Sequence, residues 1–196
     1  MTPREHLTTS ALQALVQDGT LAGSWTLDSA RSEVLLESRH TWGLRPVHGI
    51  FRQVTGHGTV AAAGQVTGTI TVVAASIDTK STMRDKDLRS AKLFDVANHP
   101  DITYTVDGMQ PADQGARVTG SLTVRGRTRP LAFDAKVSAG EDEIRLEAEV
   151  RVNRADFGLT YSPMGMASLD NTIIIRAVFT RQQTHGATPD GPAPKP

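Results

Sequence analysis

Residues 144–152 alternate without a break: Ile144, Leu146, Ala148, Val150 and Val152 fall on one side, Arg145, Glu147, Glu149 and Arg151 on the other. A period of two is that of a β-strand with one wet face. The same period recurs in Val66, Gly68, Ile70, Val72 and Ala74, in Ile102, Tyr104 and Val106, in Val118, Gly120, Leu122 and Val124, and in Leu131, Phe133, Ala135 and Val137. Residues 32–40 set Val34, Leu36, Ser38 and His40 on one face, and residues 47–55 begin a further strand. The last strand, 172–181, is apolar on both faces around Ile173, Ile174 and Ile175, which predicts packing outside the sheet as well as inside it.

Turn signals stand at Asp28-Ser29, Asp107-Gly108, Gly126 and Ala139-Gly140, with a longer loop over 157–170. The alternation stops between 78 and 99, where Asp85 is the expected N-cap of a short helix over 86–94. Leu7, Ala11, Leu12, Leu15 and Val16 lie at helical spacing, so residues 8–17 predict an amphipathic helix capped by Thr9 or Ser10. Its polar face lacks the lysine and arginine that anionic lipid attracts, and docking on its own protein is expected. The domain plan is an extension over 1–23, a barrel over 24–182 and a disordered tail over 183–196, rich in Gly, Ala, Thr and Pro.

About eight one-faced strands with no long helix to cover them predict an all-β fold, a closed barrel or a sandwich. At eight strands a closed sheet encloses just enough room for side chains or one slender ligand. Gly68, Ala74, Gly120, Ala135 and Ala148 sit at inward positions, leaving space that either facing large residues or a ligand must fill.

Composition narrows the functional classes. The chain has 196 residues and a formal net charge of zero, which argues against a broad nucleic-acid surface. Without cysteine there is no disulfide framework, thiolate metal site or cysteine nucleophile. No export signal is visible in the first residues and no run approaches the ~20 apolar residues of a spanning helix, so a cytoplasmic protein with no membrane span is expected. No G-x-S-x-G, P-loop or H-E-x-x-H occurs, and no enzyme activity, cofactor or metal is expected. The enzyme alternative would gather His40, His48, His57 and His99 at a barrel end with Asp85 or Asp95.

The residues between the strands are more specific than the strands. Trp25-x-Leu27-Asp28-x-x-x-Ser32 opens the domain, and His40 is followed by Val47-His48-Gly49-Ile50-Phe51. Ser76-Ile77-Asp78-Thr79 leads into Arg84-Asp85-x-Asp87-Leu88, then Leu93-Phe94-Asp95 with Pro100. Gly120-x-Leu122-Thr123-Val124-Arg125-Gly126-x-Thr128-x-Pro130 and Asn153-Arg154-x-Asp156-Phe157-Gly158 complete the set. In this order and spacing the chain resembles the YceI-like family of polyisoprenoid-binding proteins over residues 24–182. The resemblance implies an eight-stranded, lipocalin-like extended antiparallel barrel whose apolar channel holds an isoprenoid, such as an isoprenoid quinone, or another long-chain fatty amphiphile. It also allows a homodimer. Three departures are Leu93, where an aromatic residue commonly precedes Phe94, the lack of a visible export signal, and the N-terminal extension.

On that footing the expected function is non-catalytic binding, carriage or sequestration of such a lipid. The alternative is a dimerising interaction module with a filled barrel. The apolar channel is expected to be lined by Leu36, Phe51, Ile70, Val72, Tyr104, Leu122, Phe133, Leu146, Phe157 and Ile174, bulky residues of strand faces and strand ends. A phosphate or quinone head group needs polar partners at the mouth, for which Arg84 and Arg154 are candidates, with His40 and Trp42 at the entrance. Each arginine has a second reading as a loop brace paired with Asp85, Asp87 or Asp156. Arg125, Arg127 and Arg129 read as a solvated hairpin tip around Gly126.

Overall fold

The computed structural model describes residues 7–40, 45–112, 115–165 and 167–182, with backbone alone for 39, 40, 45 and 163. Trp42 and the tail over 183–196 lie outside the described residues. The strands in chain order are β1 (Gly23–Leu27), β2 (Glu33–His40), β3 (Arg45–Phe51), β4 (Val54–Val60), β5 (Val66–Val73), β6 (Ile77–Asp78), β7 (Asp101–Ala112), β8 (Gly115–Val124), β9 (Arg127–Ala139), β10 (Glu143–Asn153) and β11 (Asp170–Arg181). Helix α1 (Thr9–Gln17) precedes them and helix α2 (Thr82–Arg89) lies between β6 and β7.

Eleven segments make an eight-stranded closed antiparallel barrel because three pairs of segments are single strands interrupted by kinks. β1 and β2 both pair with β11, first as Leu27↔Phe179 and then as Val34↔Ile175. β4 pairs with β1 while β3 pairs with β2, and β5 pairs with β4 while β6 pairs with β3. The ring runs on through β7, β8, β9 and β10 to β11, and Trp25↔Arg181 belongs to the pairing that closes it.

A kink leaves ladder groups unpaired, and short polar side chains take them up. At residues 28–32 the Ser32 hydroxyl accepts from the Val178 amide, the Asp28 amide donates to the Val178 carbonyl, and Ser29 donates to the Val54 carbonyl. At the β5–β6 break Ser76 accepts from the Gln53 amide and donates to the Val73 carbonyl. These include Asp28, Ser32 and Ser76, polar positions of the motif set.

Several local expectations shift by a few residues. α1 runs as predicted, but Thr8 caps it by accepting from the Ala11 amide. α2 starts four residues earlier than expected and is capped by Ser81. Asp85 lies in its first turn, buried, where its carboxylate accepts from both the amide and the hydroxyl of Thr79 and pins the helix to the end of β6. Asp107-Gly108 is a β-bulge within β7 rather than a turn. The extra residue shifts the phase, so that Met109 and Pro111 turn inward where unbroken alternation would have placed Gly108 and Gln110. The turn at Arg125-Gly126 has positive φ at both residues, 50° and 70°, as a two-residue hairpin requires. Its tip is docked rather than free: Arg125 donates to the Ala91 carbonyl, and Arg127 packs on Gly158.

The kink at 28–32 is also tied electrostatically to the start of β10, where Arg31 bridges Asp28 and Glu143. The Arg31 guanidinium, joined by Arg145 at Glu143, holds both carboxyl groups below their usual range. A folded-state pKa below the unfolded one adds stability that is fully present above the unfolded value and is lost as pH falls through the folded value. Thermal melts should therefore be flat from neutrality to about pH 5 and fall below about pH 4. Glu143→Gln should flatten part of that acid limb; an unchanged acid limb would show that the bridge does not contribute.

Candidate functional site

Inward side chains of the barrel surround a cavity of about 380 Å³, within the roughly 300–1,000 Å³ of small-molecule sites. β10 contributes the row whose alternation is clearest in the sequence, Ile144, Leu146, Ala148, Val150 and Val152. Leu36, Phe51, Ile70, Val72, Tyr104, Leu122, Phe133, Leu146 and Phe157 all border the same space.

Ile174 does not, and its expected place in the lining is corrected. On β11 the cavity is bordered by Asn171, Ile173, Ile175, Ala177 and Phe179. Successive side chains of a strand face opposite ways, so Ile174 points outward with Thr172 and Arg176. Arg176, paired with Glu33 at 3.1 Å, was the signal that could have settled the phase: a charge two residues from Ile174 marks the wet face. Outside, Ile174 lies opposite Leu35 and Leu35 opposite Ile50, an apolar row across three strands.

The small inward residues divide between filled and unfilled. Gly120 makes room for Tyr104, because a Cβ there would lie 2.8 Å from the tyrosine oxygen. The Tyr104 ring meets Phe133 at 5.4 Å between centroids, and its hydroxyl donates to the Leu131 carbonyl. Gly68, paired opposite Gly58, leaves a stretch of wall without side chains. There the outward-facing neighbours His57, Thr59, Thr67 and Thr69 also border the cavity. Ala135 and Ala148 line it, whereas Ala74 is packed away at 1% exposure and does not.

One end of the cavity meets α2 and the loop after β10, where the exposed residues Asp87 and Tyr161 border it beside Arg84, Leu88, Leu93 and Ala167. Phe94, 8% exposed, packs at a tilt against Phe51 with centroids 6.1 Å apart and holds the segment after α2 against the barrel. Arg84 is half-buried, and among the described residues its guanidinium has no hydrogen-bond or ion-pair partner. The brace expected for it with Asp85 or Asp87 is absent there, since Asp85 is engaged by Thr79.

Arg154 also borders the cavity but is committed to the loop. It donates to the carbonyls of Leu159, Tyr161, Ala167 and Ser168, with no carboxylate partner among the described residues, and burial lowers its pKa. It braces the loop through main-chain oxygens rather than through Asp156. Asn153 accepts from the Ala155 amide and Gly158 adopts φ 75°, so the turn leading to that loop is built from the last motif.

The other end is closed by α1, whose Leu12 and Val16 border the cavity with Leu21 and Trp25. This wall was not foreseen in the sequence. The histidines of the enzyme alternative lie apart: His48 pairs with Glu37, His99 packs against Gly126, and His57 sits on β4 beside Gly58. His40 is described by its backbone alone. Among the described residues no group of three His, Asp or Glu is placed to hold a metal ion, and no helix is long and apolar enough to cross a membrane.

Burial pushes the Tyr104 phenol up to about 12, with the Asp107 charge adding to the effect. Its neutral form is favoured by folding, so its contribution is full below the unfolded value of about 10 and is lost as pH rises to about 12. Ultraviolet titration should show a tyrosine resisting ionisation until about pH 12, and Tyr104→Phe should remove that step. Arg154→Ala should strip four carbonyls of their donor and destabilise the loop by about 2–4 kcal/mol. Faster amide exchange over 158–169 with β8 and β9 unchanged is the expected reading.

The sequence pattern of the YceI-like domain matches residues 25–180. A UPF0312 protein of Pectobacterium atrosepticum is 34% identical over 120 residues, 58% of this chain and 62% of its own length. Another, from Pectobacterium carotovorum, is 29% identical over 93% of this chain and the whole of its own length. Protein YceI of Salmonella arizonae is 32% identical over 58% of this chain and 62% of its own length. Among solved structures, Burkholderia cenocepacia BcnA superposes with a TM-score of 0.70 at 20% identity, covering 78% of this chain and 98% of its own. A polyisoprenoid binding domain from Saccharophagus degradans gives 0.66 at 16% identity, covering 81% and 98%. These structures share the fold, and with the match over 25–180 the chain belongs to the YceI-like family.

Proposed function

We propose that this protein binds a polyisoprenoid or another long-chain amphiphile inside the barrel, and carries or sequesters it without catalysis. The observation that carries the reading is the apolar cavity itself, which leaves space beyond what the protein's own side chains fill and has an unpartnered guanidinium at its exposed end. The polyisoprenoid binding of the Saccharophagus domain supports it on the same fold.

The energetics suit such a ligand. Each buried five-carbon unit releases on the order of 4 kcal/mol of gross transfer free energy. A few units suffice for tight binding, and ordering the flexible chain offsets part of the gain, which keeps longer chains below the practical ceiling of about 20 kcal/mol. Arg84 would meet an anionic or quinone head group at the mouth, while Arg154 shapes the loop around it.

Native mass spectrometry of protein purified without detergent, followed by organic extraction, should show a lipid of defined mass. Consistently empty protein that also refuses added prenyl lipids would overturn the proposal. Ile70→Asp, which places a carboxylate in the cavity wall, should abolish uptake with the strand spectrum unchanged. Arg84→Gln should weaken a prenyl phosphate by about tenfold and leave the matching prenyl alcohol unaffected; equal loss for both would remove Arg84 from head-group binding.

A second reading, compatible with the first, rests on the outward row of Ile174, Leu35 and Ile50. Beside it, β3 pairs with β6 only at Ile50 and Phe51. A second copy covering this face would make a dimer. Sedimentation should then show a dimer that Ile174→Asp converts to monomer, whereas a monomeric parent chain would remove the reading.

A further inference from the structure

Helix α1 lies before the span of the family match, yet it forms one end of the cavity. Leu12, at 3% exposure, and Val16 face the interior, while Gln13, Gln17 and Asp18 face solvent. The helix is fastened to the barrel rim at both of its ends. Before its first turn the Leu7 amide donates to the Val137 carbonyl of β9, and the Thr9 hydroxyl donates to the Ala112 carbonyl of β7. Near its last turn Val16 packs so closely on Gly64, in the β4–β5 hairpin, that a Cβ there would lie 2.6 Å from it.

The linker to β1 is held as firmly. Arg181 donates to the carbonyls of Thr20, Ala22 and Glu141, and its guanidinium lies 4.4 Å from the centre of the Trp25 ring. Trp25 is 2% exposed and donates its indole N–H to the Leu21 carbonyl. The three carbonyls converge on one planar fork, which suits arginine and would not suit lysine. A helix anchored to β7, β9 and the β4–β5 hairpin, with its exit clamped, is a fixed wall and not a flap.

Apolar burial alone cannot select among chains, because every added carbon is rewarded equally wherever space remains. A rigid end wall can, since a chain one unit too long must overpack a close-packed boundary or push its head group out beyond Arg84 at the mouth. Resting on the lipid-binding reading above, we propose that α1 is the end stop of the cavity, and that Leu12 and Val16 set the longest isoprenoid chain accepted with its head group at Arg84. The wall bearing Gly58 and Gly68 is the other place where a long chain could find room, and the test separates the two.

The probes are prenyl phosphates increasing in length by one isoprene unit, bound by competition to the full chain. For the parent protein, affinity should rise with length and then drop by about tenfold at the first chain that is too long. Leu12→Ala with Val16→Ala removes about five side-chain carbons from the wall, the size of one isoprene unit, so the drop should come one unit later. Gln13→Ala, on the wet face of the same helix, should leave it in place. If the double variant does not fold, Val16→Ala alone should shrink the drop by at least about threefold.

A drop at the same length in parent and wall variants overturns the end-stop assignment while leaving lipid binding intact. So does a parent protein with no drop at all, the result expected if long chains pass the Gly58–Gly68 wall. Failure of every prenyl phosphate to bind either protein overturns the lipid reading and the end stop together.

Discussion

β11 hydrogen-bonds to two successive strands, β1 and then β2, and the closed ring rests on that shared edge. A sheet of one-faced strands has to bury its apolar side somewhere, and with two short α-helices among the described residues it does so by curling until its edges meet. β10 matches β11 without interruption from Glu143↔Thr180 to Asn153↔Asp170, whereas on the other side of β11 the partner kinks at residues 28–32 and splits into β1 and β2. Asp28, Ser29 and Ser32 supply hydrogen bonds where the ladder is interrupted. Closure then determines everything inside: each strand sends alternate side chains into a shared space whose width follows from the strand number and not from what the side chains would fill.

The two ends of that space are built with different chemistry. One is bordered by apolar side chains of α1, whose linker to β1 is held by main-chain carbonyls gathered on Arg181. The other carries Arg84, Asp87 and Tyr161, bordered by a loop that Arg154 organises from within. The arginines illustrate how alike residues diverge by context. Arg154 and Arg181 satisfy carbonyls that would otherwise be stranded, whereas Arg84 keeps its donors available at the edge of an apolar interior. An amphiphile has the same polarity along its length as this cavity has along its axis.

Strand faces were legible wherever charged residues marked the wet side, as in β10, where Arg145, Glu147, Glu149 and Arg151 define the phase. Three consecutive isoleucines in β11 blurred it, because their bulk is identical and Arg176, two residues beyond Ile174, alone carries the charge that marks the wet face there. In β7 the phase changes at a single bulged residue, which alternation cannot show in advance because Asp107-Gly108 has the composition of a turn. The motif residues were recognisable as a set, but their work as ladder repair, helix anchor and loop brace depends on main-chain partners. Such partners have no side-chain signature. The end wall was hidden for a related reason, since the groups that seat α1 come from β7, β9 and the β4–β5 hairpin, far away in the chain.

Occupancy of the barrel interior by a lipid chain can be read from a contact map of the bound chain. A prenyl probe carrying a photoreactive diazirine, crosslinked in place and located by peptide mass spectrometry, should label inward positions such as Ile70, Leu146 and Ile173 and spare Ile174 and Leu35. Labelling confined to the outward row of Leu35, Ile50 and Ile174 would refute an interior site.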